Sequence, residues 1–184
     1  MKDEKDFIQQ LLSPKHKEKA FVRLVDLYQE RLYWHIRKLV VSHENANDVL
    51  QNTFVRVYKS LFSFKQQSSL HTWMYRIAYN ESLRLLEKNK NRNAISLEDV
   101  QEKHLESLFD SDYLDGSEIQ IKLKKALSML SEKQRIVFQM KYYDDLKFRE
   151  ISDILDIKEN SVKTCYYGAV KHIEKKMLEV EIIR

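Results

Sequence analysis

The chain has 184 residues, enough for one medium-sized domain or two small ones. Only 2 glycines and 1 proline accompany 43% hydrophobic residues, so turn formers are scarce and an all-α fold is predicted. The net charge of +4 is too small to indicate a nucleic-acid partner by itself, and the single cysteine, Cys165, excludes a fold stapled by internal disulfides and favours a reducing cytoplasm.

The first sixty residues are predicted to form a short helix and two longer ones. Residues 1–12 are a charged segment ended by Ser13-Pro14; they are too acidic for a signal peptide, and no apolar run in the chain is long enough to span a bilayer. Apolar residues then recur at helical spacing from Glu18. The next helix is expected to be capped by Asn45 or Asn47. The connection between the helix that starts at Glu18 and this next helix is short, so the two helices should pack as an antiparallel pair.

A polar loop and a third long helix are predicted next. Residues 62–70, FSFKQQSSL, lack helical periodicity, and the helix runs from about His71 to Asn89. One side of this helix is apolar, while the other mixes aromatic, basic and amide side chains. Such a mixture suits single-stranded nucleic acid, because rings stack on bases and cations follow phosphates. A core helix that packs through Tyr and Trp is an equally good interpretation of this helix alone.

The composition changes sharply after the basic run Lys88 to Arg92. Between Ile95 and Glu118 there are eight carboxylates and a single lysine, Lys103, which predicts an acidic linker. Such a linker could mimic nucleic acid and occupy basic surfaces on either side, although a solvated spacer is the simpler interpretation. The predicted division is therefore a helical domain at 1–92, a flexible acidic linker at 93–118 and a second helical domain at 119–184.

The second domain contains a predicted helix-turn-helix. Ser131 and Gln134 have the spacing of a capping box. Residues 145–177 then form two amphipathic helices around the short turn 156–158. Residues 158–176 contain five Lys and two Glu, so the exposed face of the second helix suits duplex DNA, the alternative being an ordinary solvated face. The candidate DNA-binding residues are Lys158, Asn160, Ser161, Lys163, Thr164, Tyr167 and Lys171.

No catalytic site is predicted. The chain has no His/Cys cluster with metal-ligand spacing, no glycine-rich phosphate loop and no plausible triad, and its six histidines are scattered. We therefore predict neither a metal nor another cofactor, and no enzymatic activity.

Three passages resemble the extracytoplasmic-function (ECF) group of bacterial sigma factors, in the sigma-70 family. Residues 47–58, NDVLQNTFVRVY, resemble the family's (E)DLVQETFLRVW segment in region 2. Residues 69–80, SLHTWMYRIAYN, resemble its SFRTWLYRIARN segment. Residues 130–135, LSEKQR, followed by Glu150-Ile151 and by NSVKT at 160–164, resemble region 4. Three such passages in the same order and separation make the resemblance specific.

The resemblance implies a promoter-specificity subunit for core RNA polymerase. Region 2 would dock on the coiled coil of the polymerase β′ subunit and recognise the melted minus-ten element, while region 4 would bind the minus-thirty-five duplex and the β flap. An anti-sigma factor is an expected further partner. The polymerase-binding candidates are Asp48, Gln51, Asn52, Phe54, Val55 and Arg56. The region 2 DNA-binding candidates are Phe64, Lys65, Ser68, Ser69, His71, Thr72, Tyr75, Arg76, Tyr79 and Asn80.

Some positions depart from the family pattern. Lys147 and Lys158 stand where a serine often caps a helix, and a lysine side chain cannot accept from the free N–H groups. Asp145 and Asp156 stand where glycine is common, and aspartate tolerates the left-handed conformation better than most residues. Gly168 replaces a frequent arginine and weakens its helix by about 1 kcal/mol relative to alanine.

Other classes of protein share parts of this pattern. A stand-alone helix-turn-helix regulator, of the two-component or quorum type, would act without core polymerase, but the N-terminal half shows no strand–helix alternation for a receiver or ligand domain. A helical adaptor or holdase with a fortuitous C-terminal motif is a further alternative.

Overall fold

The computed structural model describes residues 2–40, 42–92 and 118–178, and these ranges consist of helices joined by turns and short loops, with no β-strand. The all-α prediction is therefore confirmed for them, whereas the predicted acidic linker lies outside the described residues except for Glu118. A short 3₁₀ turn, Leu61–Ser63, follows the third helix. The α-helices are α1 (Lys2–Leu12), α2 (Lys17–Arg37), α3 (His43–Ser60), α4 (Leu70–Arg92), α5 (Glu118–Ser128), α6 (Glu132–Tyr142), α7 (Phe148–Leu155) and α8 (Glu159–Leu178).

Helices α1 to α4, the N-terminal module, pack around one apolar core. Each helix turns one row of side chains inward, as its apolar spacing predicts. Helix α2 contacts α1, α3 and α4, and α3 also packs against α4. Fully buried core residues are Leu24, Leu32 and Ile36 of α2, Val57 of α3 and Met74 and Ala78 of α4.

The connection between α2 and α3 differs from the sequence-based prediction. The predicted cap at Asn45 or Asn47 is wrong, because Ser42 caps α3 with its Oγ accepting from the backbone N–H of Asn45 at 3.1 Å. Ser42 has the extended backbone of an N-cap, so α3 begins at His43 and both asparagines lie inside it. Three candidate capping residues within six positions made the first helical residue ambiguous.

Helices α5 to α8, the C-terminal module, contain the helix-turn-helix. The predicted capping box is confirmed, since Ser131 Oγ accepts from Gln134 N–H at 3.3 Å and Gln134 Oε1 accepts from Ser131 N–H at 3.2 Å. Asp145 (φ 51°) and Asp156 (φ 55°) both adopt the predicted left-handed conformation. In the turn between α7 and α8, Ile157 packs against the core, as its apolar side chain predicts.

The two modules pack against each other. Helix α7 contacts α4, and one continuous apolar cluster joins side chains of the N-terminal module to Ile151 and Ile154 of α7. The sequence pattern predicts the two helical modules but not this contact between them. Within the described ranges, no helix is long and apolar enough to cross a membrane.

Candidate DNA-binding and polymerase-binding surfaces

One side of α8 presents polar and cationic groups to solvent, while the opposite side, with Val162 and Ala169, is buried. Tyr167 is 60% exposed. Lys163 is 43% exposed and its Nζ lies 2.6 Å from Oε1 of Glu159. Such groups can reach phosphates and base edges in a major groove. We call this surface the duplex face; it consists of Lys158, Asn160, Ser161, Lys163, Thr164, Tyr167 and Lys171.

The starts of the two helix-turn-helix helices use backbone and carboxylate partners. Glu150 Oε2 accepts from the backbone N–H of Lys147 at 2.8 Å, so one half of a capping box is present at α7. The Lys147 side chain has no acceptor atom for the other half. At α8, the backbone carbonyl of Lys158 accepts from Ser161 N–H at 2.9 Å and Val162 N–H at 3.2 Å. These contacts fix the helix whose side chains form the duplex face.

The loop before α4 forms one wall of a cavity of about 280 Å³. Phe64 is buried and its ring centroid lies 4.9 Å from that of Trp73, which anchors the loop. Ser69 Oγ accepts from Thr72 N–H at 3.1 Å at the start of α4. The cavity has polar, cationic and aromatic walls, formed by Ser63, Phe64, Lys65, Gln67, Ser68, Thr72, Trp73, Arg76 and Asp153.

Rings from α2 and α4 form a column beside this cavity. Tyr75 lies between His71, at a centroid distance of 4.3 Å, and His35, at 4.6 Å. Tyr28 flanks His71 at 5.9 Å. Burial raises the pKa of Tyr75, and burial lowers the pKa of His71 although Glu150 opposes that shift. Both shifts favour the uncharged forms of these two rings.

The ten region 2 DNA-binding candidates, here called the single-strand face, differ in accessibility. Lys65, Ser69, Arg76 and Asn80 are exposed. Ser68, His71 and Tyr79 are half-buried. Phe64, Thr72 and Tyr75 are buried. The sequence pattern places these ten residues together, and the structure adds that the C-terminal module covers part of them.

The structure contains a buried charged contact between the modules that the sequence did not predict. Asp144 Oδ2 lies 2.6 Å from Nδ1 of His35, and Asp144 Oδ1 lies 2.8 Å from Nζ of Lys38. Burial alone would raise the pKa of Asp144, but His35 and Lys38 hold it below its ordinary value. A histidine and a lysine at the end of the amphipathic helix α2 were the available signal, but their partner lies more than a hundred positions away.

One side of α3 carries most of the polymerase-binding candidates. Asp48, Gln51, Asn52, Val55 and Arg56 are all exposed, and their spacing places them on one helical side. We call these five residues the docking face. The sixth candidate, a half-buried phenylalanine, lies apart from them: the centroid of Phe54 is 6.3 Å from that of Phe21, in an edge-on arrangement.

The docking face is bounded by an ion pair with α4. Nε of Arg56 lies 2.7 Å from Oε1 of Glu81, which Arg84 also contacts. The face therefore combines an acidic residue, two amides, an apolar residue and a cation whose position is restrained. No cluster of three or more metal-ligating side chains occurs in the described part of the chain.

These surfaces define a class: an all-helical DNA-binding protein with a helix-turn-helix in one module and an aromatic, cationic face in the other. The chain belongs to the ECF group of the sigma-70 family. The Sigma-70 region 2 family matches residues 24–92, and the Sigma-70 region 4 family matches residues 120–173. The N-terminal module thus contains region 2 and the C-terminal module contains region 4.

Known proteins are similar to the chain over most of its length. It is 26% identical to the ECF RNA polymerase sigma factor SigW of Bacillus subtilis over 169 residues, which is 88% of this chain and 90% of that protein. It is also 26% identical to the sigma-E factor of Escherichia coli K12 over 168 residues, 87% of both chains. These similarities agree with the family matches.

Solved structures share the fold. CnrH, in complex with the cytosolic domain of CnrY, has a TM-score of 0.68 at 17% identity and covers 96% of this chain and 97% of its own. The sigma factor RpoE of Bartonella quintana, in complex with the anti-sigma factor NepR, has a TM-score of 0.66 at 20% identity, over 88% of this chain and 98% of its own.

Proposed function

We propose that this protein binds core RNA polymerase and directs it to specific promoters. The N-terminal domain, 1–92, captures unpaired minus-ten bases and docks on the polymerase, the segment 93–118 is an acidic linker, and the domain at 119–184 holds the minus-thirty-five element as duplex. Its family membership makes it a transcription initiation factor, acting without catalysis of its own and in the cytoplasm, where polymerase works. The observation that carries the proposal is the presence of both a duplex face and a single-strand face in one chain.

Polymerase docking is assigned to α3. Its docking face is exposed along two turns, and Val55 is 47% exposed among polar neighbours. An apolar centre with a polar rim is the usual composition of a protein–protein interface. We assign the β′ coiled coil as the partner of this face and the β flap as a partner of the C-terminal module, following the family resemblance.

Minus-ten recognition is assigned to the single-strand face. Lys65 and Arg76 supply cations beside a cavity whose wall also contains Ser68. A base turned out of its stack can be bonded along its edge by hydroxyl and amide groups, and rings such as Tyr79 can stack on its neighbours. Minus-thirty-five recognition is assigned to the duplex face.

An anti-sigma factor is proposed as a regulatory partner. The Bartonella quintana RpoE structure contains such a factor, NepR. A pull-down from cells that express the tagged full-length chain should retain a protein partner besides polymerase. Recovery of polymerase alone would remove the reason for this part of the proposal.

The decisive experiment is run-off transcription with purified core polymerase on a library of random promoters. The full-length chain should enrich a defined pair of elements, and Val55→Asp should abolish transcription while duplex binding persists. Val22→Asp, the same substitution at an exposed valine of α2, is the matched control and should remain active. A stand-alone regulator would instead protect its DNA site equally well without core polymerase, and Val55→Asp would have no effect.

A further inference from the structure

The short 3₁₀ turn after α3, Leu61–Ser63, holds one aromatic ring in solvent. Leu61 is 1% exposed and Phe64, directly after the turn, is 7% exposed, whereas Phe62 is 63% exposed. The backbone N–H of Phe64 donates to the carbonyl of Leu61 at 3.1 Å, which closes the turn. The two buried side chains therefore fix the turn from both ends, with the Phe62 side chain directed outward.

A lysine at the start of α2 restrains this exposed ring. Nζ of Lys17 lies 4.5 Å from the ring centroid of Phe62 and 3.7 Å from the ring centroid of Tyr58. The Tyr58 ring in turn lies edge-on to the ring of Phe21, at a centroid distance of 4.9 Å. A cation over an aromatic face is attractive, so Lys17 limits the positions that the Phe62 ring can take. A ring that is already restrained loses little conformational freedom when a partner binds it.

Phe62 lies on the same side of α3 as the docking face. It follows Val55 by seven positions, and the exposed Lys59 lies between them, four positions after Val55. The 3₁₀ turn continues the helix directly, because α3 ends at Ser60 and the backbone of Leu61 is still helical, with φ −52° and ψ −43°. Residues four and seven positions apart share one side of a helix. The docking face therefore continues to the end of α3 and finishes in an aromatic ring.

The spacing and charge of this side of α3 suit a helical partner. Asp48, Val55 and Phe62 follow one another at intervals of seven positions. A seven-residue repeat keeps one side of a helix facing a second helix along its length. Lys17 and Lys59 surround Phe62 with positive charge, so an apolar partner surface with an acidic rim would complement this end of the face. The coiled coil already assigned to the docking face has the helical form that this spacing requires.

We propose that Phe62, positioned by Lys17, is an aromatic anchor for core polymerase and extends the docking face by about two helical turns along the β′ coiled coil. The proposal rests on the proposed docking of α3, and it adds a residue outside the segment 47–58 that carries the family resemblance. A few buried anchors carry most of the binding energy of an interface, and aromatic residues are enriched among them. Phe62 should therefore determine how long the complex lasts, whereas the rim charge of Lys59 should affect how fast it forms.

Binding kinetics of the full-length chain with purified core polymerase test the anchor. Phe62→Ala should raise the dissociation rate by about tenfold or more and leave the association rate within about twofold of the parent. Lys59→Glu should lower the association rate, with a larger effect at low salt. Val22→Ala is the matched control and should change neither rate, because Val22 is an apolar residue of similar exposure, 61%, on α2. A dissociation rate for Phe62→Ala equal to that of the parent would overturn the anchor.

A double-mutant cycle tests the positioning role of Lys17. Lys17→Gln removes the cation above the ring, so it should raise the dissociation rate by about threefold in the parent chain. In a Phe62→Ala background the same change should have no effect, since no ring is left to position. Equal effects in both backgrounds would overturn the positioning role. Phe62→Trp keeps an aromatic face for Lys17 and should bind as the parent does, and circular dichroism shows that each variant is folded.

Photocrosslinking tests the identity of the partner. A benzophenone amino acid at position 62 of the full-length chain should crosslink to the β′ subunit of core polymerase, and the same group at position 22 should not. Crosslinks to another subunit, or none above the level at position 22, would overturn the assignment of the coiled coil to Phe62. Val55→Asp separates this proposal from the docking on which it rests. If Val55→Asp loses polymerase binding and Phe62→Ala does not, only the anchor is wrong, whereas normal binding by Val55→Asp would show that docking through α3 is wrong.

Discussion

Asp144 connects two modules through a single side chain. It lies in a turn, where aspartate is common for local reasons. Its two partners, His35 and Lys38, are 109 and 106 positions earlier. Helical periodicity relates only residues a few positions apart. The sequence therefore predicted a turn at Asp144 but not its contacts with His35 and Lys38. Asp156 is the opposite case, because its left-handed conformation is a local property and was predicted correctly.

The buried contact of Asp144 with His35 and Lys38 makes stability depend on pH in one direction. His35 of α2 and Lys38, directly after α2, face Asp144, while Tyr75 and His71 lie near it on α4. The pKa of Asp144 is held below its ordinary value of 3.8. A depressed carboxyl pKa contributes stability above the unfolded-state pKa, and this contribution is lost as pH falls through the folded-state pKa.

We therefore expect Asp144→Asn to lower the free energy of unfolding by about 3 kcal/mol at pH 7. The difference from the parent should shrink as pH falls below the ordinary carboxyl pKa, because the native carboxylate is then protonated. Urea denaturation of both chains at several pH values measures it. A difference that stays constant down to pH 3, or one that Asp145→Asn reproduces, would contradict this role of the buried Asp144 contact.

Lys163 should contribute to duplex binding, and Tyr79 should contribute to single-strand binding. Lys163→Ala removes a phosphate partner, so it should weaken duplex binding and reduce the salt dependence by about one counterion. Tyr79→Ala should weaken single-strand binding by about 1–3 kcal/mol, the usual effect of one stacked ring. Anisotropy with duplex and single-stranded probes at graded salt measures both. Tyr79→Phe keeps the ring and should bind normally, and equal loss of both activities in each alanine variant would refute the division.

At the scale of elements, the sequence predicts most helices and errs at their ends. Apolar spacing predicts α2 and α4 because each helix buries one continuous row of side chains. Helix ends depend on single hydrogen bonds, and several residues can compete to make them. Ser131 was recognised because Gln134 completes its capping box, whereas Ser42 has only the backbone N–H of Asn45 as its partner.

The contact between α6 and α8 explains the tolerance of glycine in a long helix. A Cβ at Gly168 would lie 3.2 Å from Nε2 of Gln134, the residue that completes the α6 capping box. Alanine gains about 1 kcal/mol over glycine within a helix. At Gly168 part of that gain is offset, because the Gln134 amide must move while its oxygen is bonded to Ser131.

We expect Gly168→Ala to raise the free energy of unfolding by clearly less than 1 kcal/mol in the parent chain. In a Gln134→Ala background the full gain of about 1 kcal/mol should appear, since the obstructing amide is gone. A double-mutant cycle by urea denaturation gives the coupling between the two positions. Equal gains in both backgrounds would show that the close approach carries no strain.

At the scale of the whole molecule, two helical modules were predictable and their packing was not. The Sigma-70 region 2 family matches residues 24–92, and the region 4 family matches residues 120–173. Their contact depends on Thr72 and Glu150, which are 78 positions apart and which each look like ordinary helix-start residues. In the described arrangement the docking face on α3 is accessible and the single-strand face is partly covered. Polymerase can therefore reach its docking face while the two modules are still packed together.

This order of exposure predicts association with core polymerase in two steps. Docking of α3 needs no rearrangement, so the first step is a simple bimolecular association. Its observed rate should therefore rise with polymerase concentration. Release of α7 from α4 follows on the bound protein, and its rate should not depend on concentration. A donor at position 22 and an acceptor at position 174, both exposed, report the second step as a loss of energy transfer when the labelled protein is mixed rapidly with core polymerase.

Asp144→Asn should change only the second step. The variant begins partly open, so the amplitude of the slow phase should fall and its rate should rise, while the concentration-dependent phase stays as in the parent. Val55→Asp should abolish both phases, because without docking no bound protein is left to open. If Asp144→Asn instead accelerated the concentration-dependent phase, opening would have to precede docking, and the exposed side of α3 would not be the first point of contact.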